Sequence, residues 1–187
     1  SSVNPGTPTR NNYSFLGWSL DGESVIDLNE TTQNGTITNL YAVWQAENIE
    51  VNIYLNGGSM TIDGMTYTED FKTYFSADEK LILNKPTKTG FDFYYYTIES
   101  NGTSFNTTDA TISLTINDIF KLFYGSSVDY PSYGEDASDN EITSLKITTY
   151  YIETSDDEES ITDDEMKTYI AFYWGISYTE SSGDDVV

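Results

Sequence analysis

A motif that occurs twice along the chain constrains the fold more than any other feature. Pro8-Thr9-Arg10-Asn11-Asn12-Tyr13-Ser14-Phe15-Leu16-Gly17-Trp18 is echoed by Pro86-Thr87-Lys88-Thr89-Gly90-Phe91-Asp92-Phe93-Tyr94-Tyr95-Tyr96. Each copy leads through a polar Asn/Gly/Thr stretch to an apolar segment expected to be a strand. That segment is Asn39-Leu40-Tyr41-Ala42-Val43-Trp44 in the first copy and Ile119-Phe120-Lys121-Leu122-Phe123-Tyr124 in the second. A spacing of roughly 80 residues suits one small domain per copy. Leu40, Ala42 and Trp44 alternate with Tyr41 and Val43, the period of a half-buried strand, and Tyr13 and Phe15 keep that period. Asn56-Gly57-Gly58 supplies the positive-φ backbone of a turn. Residues 68–77, with Phe71, Tyr74 and Phe75 at helical spacing, are expected to form the one helix of the second copy.

The chain has 16 Tyr, 9 Phe and 3 Trp, enough large rings for a thin β-layer to assemble a core. A sequence dominated by Thr, Ser, Ile, Tyr and Phe favours pleated strands over helices. The expected fold class is mainly β, α+β in detail. Against 31 acidic residues stand 8 Lys plus Arg, a formal charge of -23. Such a field repels nucleic acid and anionic membrane surfaces, so neither is expected as a partner. No stretch approaches the ~20 apolar residues of a membrane span, so no membrane insertion is expected. Ser1 opens no signal peptide, as expected of a mature or truncated fragment. Cys and His are both absent. Disulfides, thiolate catalysis, Cys/His zinc sites and His-based triads are thereby removed, and no enzyme activity is expected.

Pro-Thr-Arg-x-x-Tyr-x-Phe-x-Gly-Trp from Pro8, followed by Leu-Tyr-Ala-x-Trp from Leu40, resembles the Listeria–Bacteroides repeat, the B-repeat of internalin-type surface proteins. In that family a unit opens with a strand ending in Asn-Gly-Gly, and Val51-Asn52-Ile53-Tyr54-Leu55-Asn56-Gly57-Gly58 resembles such an opener. The second motif is degenerate, with Tyr95 and Tyr96 where a Gly-Trp pair is expected. Together the matches cover about residues 5–125. The resemblance implies small β-grasp-like units serving as a stalk or interaction module at a bacterial surface, with no catalytic residues.

The expected organisation is a first unit over 1–47 lacking its opening strand, a second over 48–126, a linker over 127–140 and a divergent acidic β-unit over 141–187. In this last unit residues 145–152 and 169–174 read as strands flanking an acidic run. Asp156, Asp157, Glu158, Glu159, Asp163 and Asp164 are the candidate Ca²⁺ ligands, since carboxylates gathered on a loop can supply about six to eight oxygens. Their spacing fits no EF-hand loop or Gly-rich nonapeptide, and a solvated loop is the plainer reading; no other cofactor is expected. Leu145, Ile147, Tyr150, Tyr151, Tyr169, Phe172 and Trp174 are the candidate interaction residues. A sheet edge can take a strand from another chain, so the expected partner is a protein or another copy of this chain. A glycan is the further candidate partner, because Tyr94, Tyr95 and Tyr96 are consecutive and cannot all face one core. Lys121 and Lys146 sit in apolar segments; both are expected to be outward-facing lysines without covalent crosslinks. Sequons at Asn12, Asn29, Asn34, Asn101 and Asn106 point weakly to an exported chain.

Two functions follow as expectations. The leading one is a non-enzymatic module at the cell surface or outside the cell, acting as a stalk or adhesion spacer. The alternative is a structural subunit of an extracellular filament assembled by strand exchange.

Overall fold

The computed structural model describes residues 5–28, 39–130 and 141–154. The chain divides into two units, 1–153 and 154–187. The described elements are β1 (Tyr13–Ser19), β2 (Tyr41–Ala46), β3 (Asn48–Tyr54), β4 (Met60–Ile62), β5 (Met65–Tyr67), β6 (Phe71–Ser76), β7 (Leu81–Leu83), β8 (Phe91–Ser100), β9 (Thr103–Thr107), β10 (Ile112–Leu114), α1 (Ile116–Tyr124) and β11 (Ser144–Glu153). The fold is mainly β, as the composition implies.

Five strands form one sheet in the order β6-β3-β11-β8-β9. β11 lies in its middle, parallel to β3 and antiparallel to β8. Strand alternation sends Ile49, Val51 and Ile53 of β3, Leu145 and Ile147 of β11, and Tyr96 and Ile98 of β8 to one face, all buried. Leu81, Leu83, Ile112, Ile116, Ile119 and Phe120 complete this core from the short β7/β10 ribbon and α1. Fully burying each such side chain contributes roughly 1.5–3 kcal/mol. β1 and β2 pair as a separate antiparallel ribbon.

Three expectations are corrected. Residues 68–77 are not a helix: Phe71–Ser76 is strand β6, bonded to β3. Phe71 and Phe75 face inward while Tyr74 is 56% exposed, a period of two that the ladder to β3 selects over helical spacing. Residues 119–124 are not a strand: they are the last turns of α1. Thr115 and Asp118 form a capping box, with Asp118 N–H donating to Thr115 Oγ1 at 3.1 Å and Thr115 N–H to Asp118 Oδ2 at 2.9 Å. The hydrogen bonds donated by Thr115 N–H and Oγ1 hold the Asp118 carboxyl below its ordinary range. Ile116, Ile119 and Phe120 then share the buried face at helical spacing. Finally, residues 144–153 do not begin a separate C-terminal unit. Their apolar alternation is buried between β3 and β8, so the boundary falls after Glu153.

The two copies of the motif share a local geometry. Tyr13 N–H donates to Arg10 O at 3.2 Å, and Phe91 N–H to Lys88 O at 3.1 Å. Asn12 and Gly90, just before each ring, have φ of +59° and +78°. The Arg10 guanidinium lies 3.6 Å from the Tyr13 ring centre and Lys88 Nζ 4.5 Å from that of Phe91. Each turn opens a strand, β1 or β8. β1 has a bulge at Leu16 in its pairing with β2, and β8 has one at Tyr94 in its pairing with β11.

Candidate interaction surface

Asn12 joins the β1/β2 ribbon to the sheet. It is 3% exposed. Its N–H donates to Glu141 Oε1 at 2.7 Å, its Nδ2 to Ile142 O at 2.8 Å, and its Oδ1 accepts from Tyr130 Oη at 2.5 Å. Tyr130 Oη also accepts from Ile142 N–H at 3.1 Å. Burial pushes the Tyr130 hydroxyl up to about 12. Glu47, the single residue between β2 and β3, closes the junction from the other side. Its N–H donates to Asn12 O at 2.9 Å, its carbonyl accepts from Ala77 N–H at 3.0 Å, and its carboxylate accepts from Ser14 Oγ at 2.6 Å. The Asn12 amide, buried here, has a partner for each of its polar atoms, the condition for a buried polar contact to stabilise, while the Ser14–Glu47 bond is exposed. In the folded chain the amide nitrogen of the Asn12 sequon is engaged inside the junction.

The opposite face of the five-stranded sheet is open to solvent among the described residues. Lys72 Nζ stands 2.8 Å from Glu50 Oε2, and Lys146 Nζ 2.9 Å from Glu99 Oε2. The hydrogen bond from Lys72, seconded by Asn52, holds the Glu50 carboxyl below its ordinary range; the same pair raises Lys72, and Glu99 raises Lys146. Tyrosines stand among these pairs: Tyr54, Tyr74, Tyr94 and Tyr150 are each exposed, and Tyr95 stacks on Tyr150 at 4.6 Å. The bulge at Tyr94 explains how three consecutive tyrosines are accommodated, since it leaves Tyr94 exposed while Tyr96 is fully buried. Lys146 faces outward as expected, whereas Lys121 lies on α1, 2.8 Å from Asp129 Oδ1.

The structure sorts the candidate interaction residues into distinct roles. Leu145 and Ile147 are fully buried core residues and offer no contact surface. Tyr150 lies on the open face. Tyr151 points the other way, its hydroxyl against Gly58, where an added Cβ would lie 1.9 Å from that oxygen. Tyr169, Phe172 and Trp174 lie outside the described residues, as do Asp156, Asp157, Glu158, Glu159, Asp163 and Asp164. Among the described residues no acidic cluster is arranged to hold a metal ion. Asn12, Glu47, Tyr130 and Glu141 escaped the sequence reading. The available signal was Asn12, a residue tolerant of positive φ standing where the second copy has Gly90.

Among the described residues no helix is long and apolar enough to cross a membrane. No curated protein and no solved structure matches the chain. Residues 1–43 match the family model of the Listeria-Bacteroides repeat domain, so the chain carries a repeat of that family in its first part.

Proposed function

We propose that this chain is a non-enzymatic extracellular repeat module, serving as a stalk or adhesion spacer and built from two units of one repeat. The first unit ends with β2. The second runs from β3 to β11 and takes β11, not α1, as its closing strand. The shared turn, the stacked cation and ring, and the bulge three residues beyond each ring support this pairing of β1/β2 with β8/β11. Residues 101–143, between β8 and β11, are then an insertion in the second unit.

The observation that carries the spacer reading is the buried junction at Asn12. A flexible linker would let successive units swing independently. Here a single residue connects β2 to β3, and the insertion's own Tyr130, Glu141 and Ile142 clamp the turn of the preceding unit. A chain of units locked in this way transmits orientation and holds its length. Backbone ¹⁵N relaxation tests it: amides of β1 and β2 should report the same tumbling time as those of β3 and β8. Independent, faster tumbling of the ribbon would defeat the spacer reading.

The filament alternative loses one of its two candidate donor strands. Residues 144–148 pair with β3 and 146–153 with β8 within their own chain, so donating 145–152 requires opening the middle of the sheet; the other candidate, 169–174, lies outside the described residues. Light scattering behind size exclusion, across concentration and with or without Ca²⁺, separates the readings. A constant monomer mass fits the spacer, and growing oligomers fit strand exchange.

A further inference from the structure

Beside a smaller groove of about 330 Å³ at the first copy's turn, the second copy's turn borders one of about 480 Å³. Its walls are the Gly57-Gly58 turn after β3 and the stretch from Lys85 to Phe91, with Thr87 and Lys88 between. The volume lies in the range of small-ligand sites, about 300–1,000 Å³. Ser59 and Thr87 lock the two walls together by reciprocal backbone bonds of 2.7 and 2.8 Å. The groove is thus held on strand ends and not on a loose loop.

Its charge runs against that of the chain. Of the six described lysines, Lys80, Lys85 and Lys88 form no ion pair among the described residues, and two of these three share this groove. Lys72, Lys121 and Lys146 are each ion-paired. The groove's one carboxylate, Asp92, pairs with neither Lys85 nor Lys88. Lys88 is nonetheless fixed: its Nζ donates to Asn56 O at 2.9 Å and lies over the Phe91 ring. One of its three ammonium donors is used there and two remain. Around these cations stand threonine hydroxyls and the Phe91 ring.

We propose that this groove binds an acidic saccharide, a pyranose ring bearing a carboxylate. The carboxylate meets the Lys85 and Lys88 ammonium groups, a charge-assisted contact stronger than a neutral hydrogen bond. The ring hydroxyls meet threonine side chains and the Gly57-Gly58 backbone, and the C–H face of the sugar packs on Phe91. Asp92 in the groove and Glu153, across the ladder from Phe91, oppose an anion at short range, while carboxylates farther than about 8 Å are screened at ~0.15 M. The assignment extends the surface-module reading but does not depend on it.

The test is titration of the full ¹⁵N-labelled chain with digalacturonate, with N-acetylneuraminate, and with neutral galactobiose as the control. Binding should shift the amides of Gly57, Gly58, Lys88 and Phe91 with at least one acidic sugar. Affinity should fall about tenfold or more for the neutral disaccharide and in Lys85→Ala. An unchanged spectrum of Lys85→Ala away from residue 85 verifies its fold, and Lys88→Gln gives a second variant that keeps a donor to Asn56 O. No shift with either acidic sugar, equal binding of galactobiose, or undiminished binding by both lysine variants would overturn the proposal.

Discussion

The turns at 10–13 and 88–91 follow the same local rule and serve different ends. Both place a cation over the ring three residues on, and both need a positive φ just before that ring. Asn12 meets the need with a side chain, and that side chain reaches Ile142 O and Tyr130 Oη. Gly90 meets it with none, and nothing lies within 4 Å of where its Cβ would be. The backbone code is therefore common to the two copies, while a single side chain decides whether a turn becomes a joint or is left open.

The largest expected effect lies in the sheet, outside both turns. Ile147→Ala, at a fully buried site between β3 and β8, should cost about 2–5 kcal/mol in urea unfolding. A smaller loss would mean that the sheet closes around the gap. Gly58→Ala comes next. Its new methyl would collide with the Tyr151 hydroxyl and approach Thr87 O to 2.9 Å, an overpacking of about 1–3 kcal/mol. Tyr151→Phe in the same chain should recover part of that loss, and a purely additive double-mutant cycle would refute the contact. Exchanging the turn residues sharpens the comparison itself. Asn12→Gly keeps the backbone and should cost about 1–3 kcal/mol through partners left unpaired in the junction. Gly90→Asn, which meets no neighbour but strains a side chain at φ +78°, should cost less, about 0.5–1 kcal/mol. Equal effects at 12 and 90 would erase the distinction between joint and open turn.

A fourth expectation concerns alkali. The Tyr130 hydroxyl is raised from 10.0 to about 12, so its contribution is complete below pH 10 and is lost as the pH climbs towards 12, because only the unfolded chain releases that proton early. Tyr130→Phe should flatten part of the stability profile across that window. Least affected of all should be the open sheet face. Lys72→Ala removes an exposed pair and should barely move the urea-unfolding midpoint, by less still in high salt.

Much of this was legible in the sequence, and the rest was hidden for identifiable reasons. The motif, the strand-rich composition and the turn at Asn56-Gly57, where both residues have positive φ, could be read because each depends on neighbours along the chain. The place of β11 could not. Its apolar alternation marks a strand, but its partners Ile53 and Ile98 lie far away in sequence, and periodicity carries no address. Phe120, Phe123 and Tyr124 read as a strand because aromatics favour sheets. The Thr115/Asp118 box three residues apart was the evidence for a helix, and the strand reading passed over it. At 68–77, Phe71, Tyr74 and Phe75 satisfy two periods at once, and only pairing with β3 decides between them. The junction was least visible, since its members come from residues 12, 47, 130 and 141.

The parallel neighbours β3 and β11 have a mechanical consequence. β3 is entered at its start from β2 through Glu47, and β11 is left at its far end. Tension between residues 47 and 154 therefore pulls the two strands past each other along their length. Every hydrogen bond of that ladder bears load together, and none can be peeled open in turn as at a hairpin's mouth. The same tension drags β11 along β8 on its other flank. Loaded in that geometry, the ladder yields by shear and not by peeling.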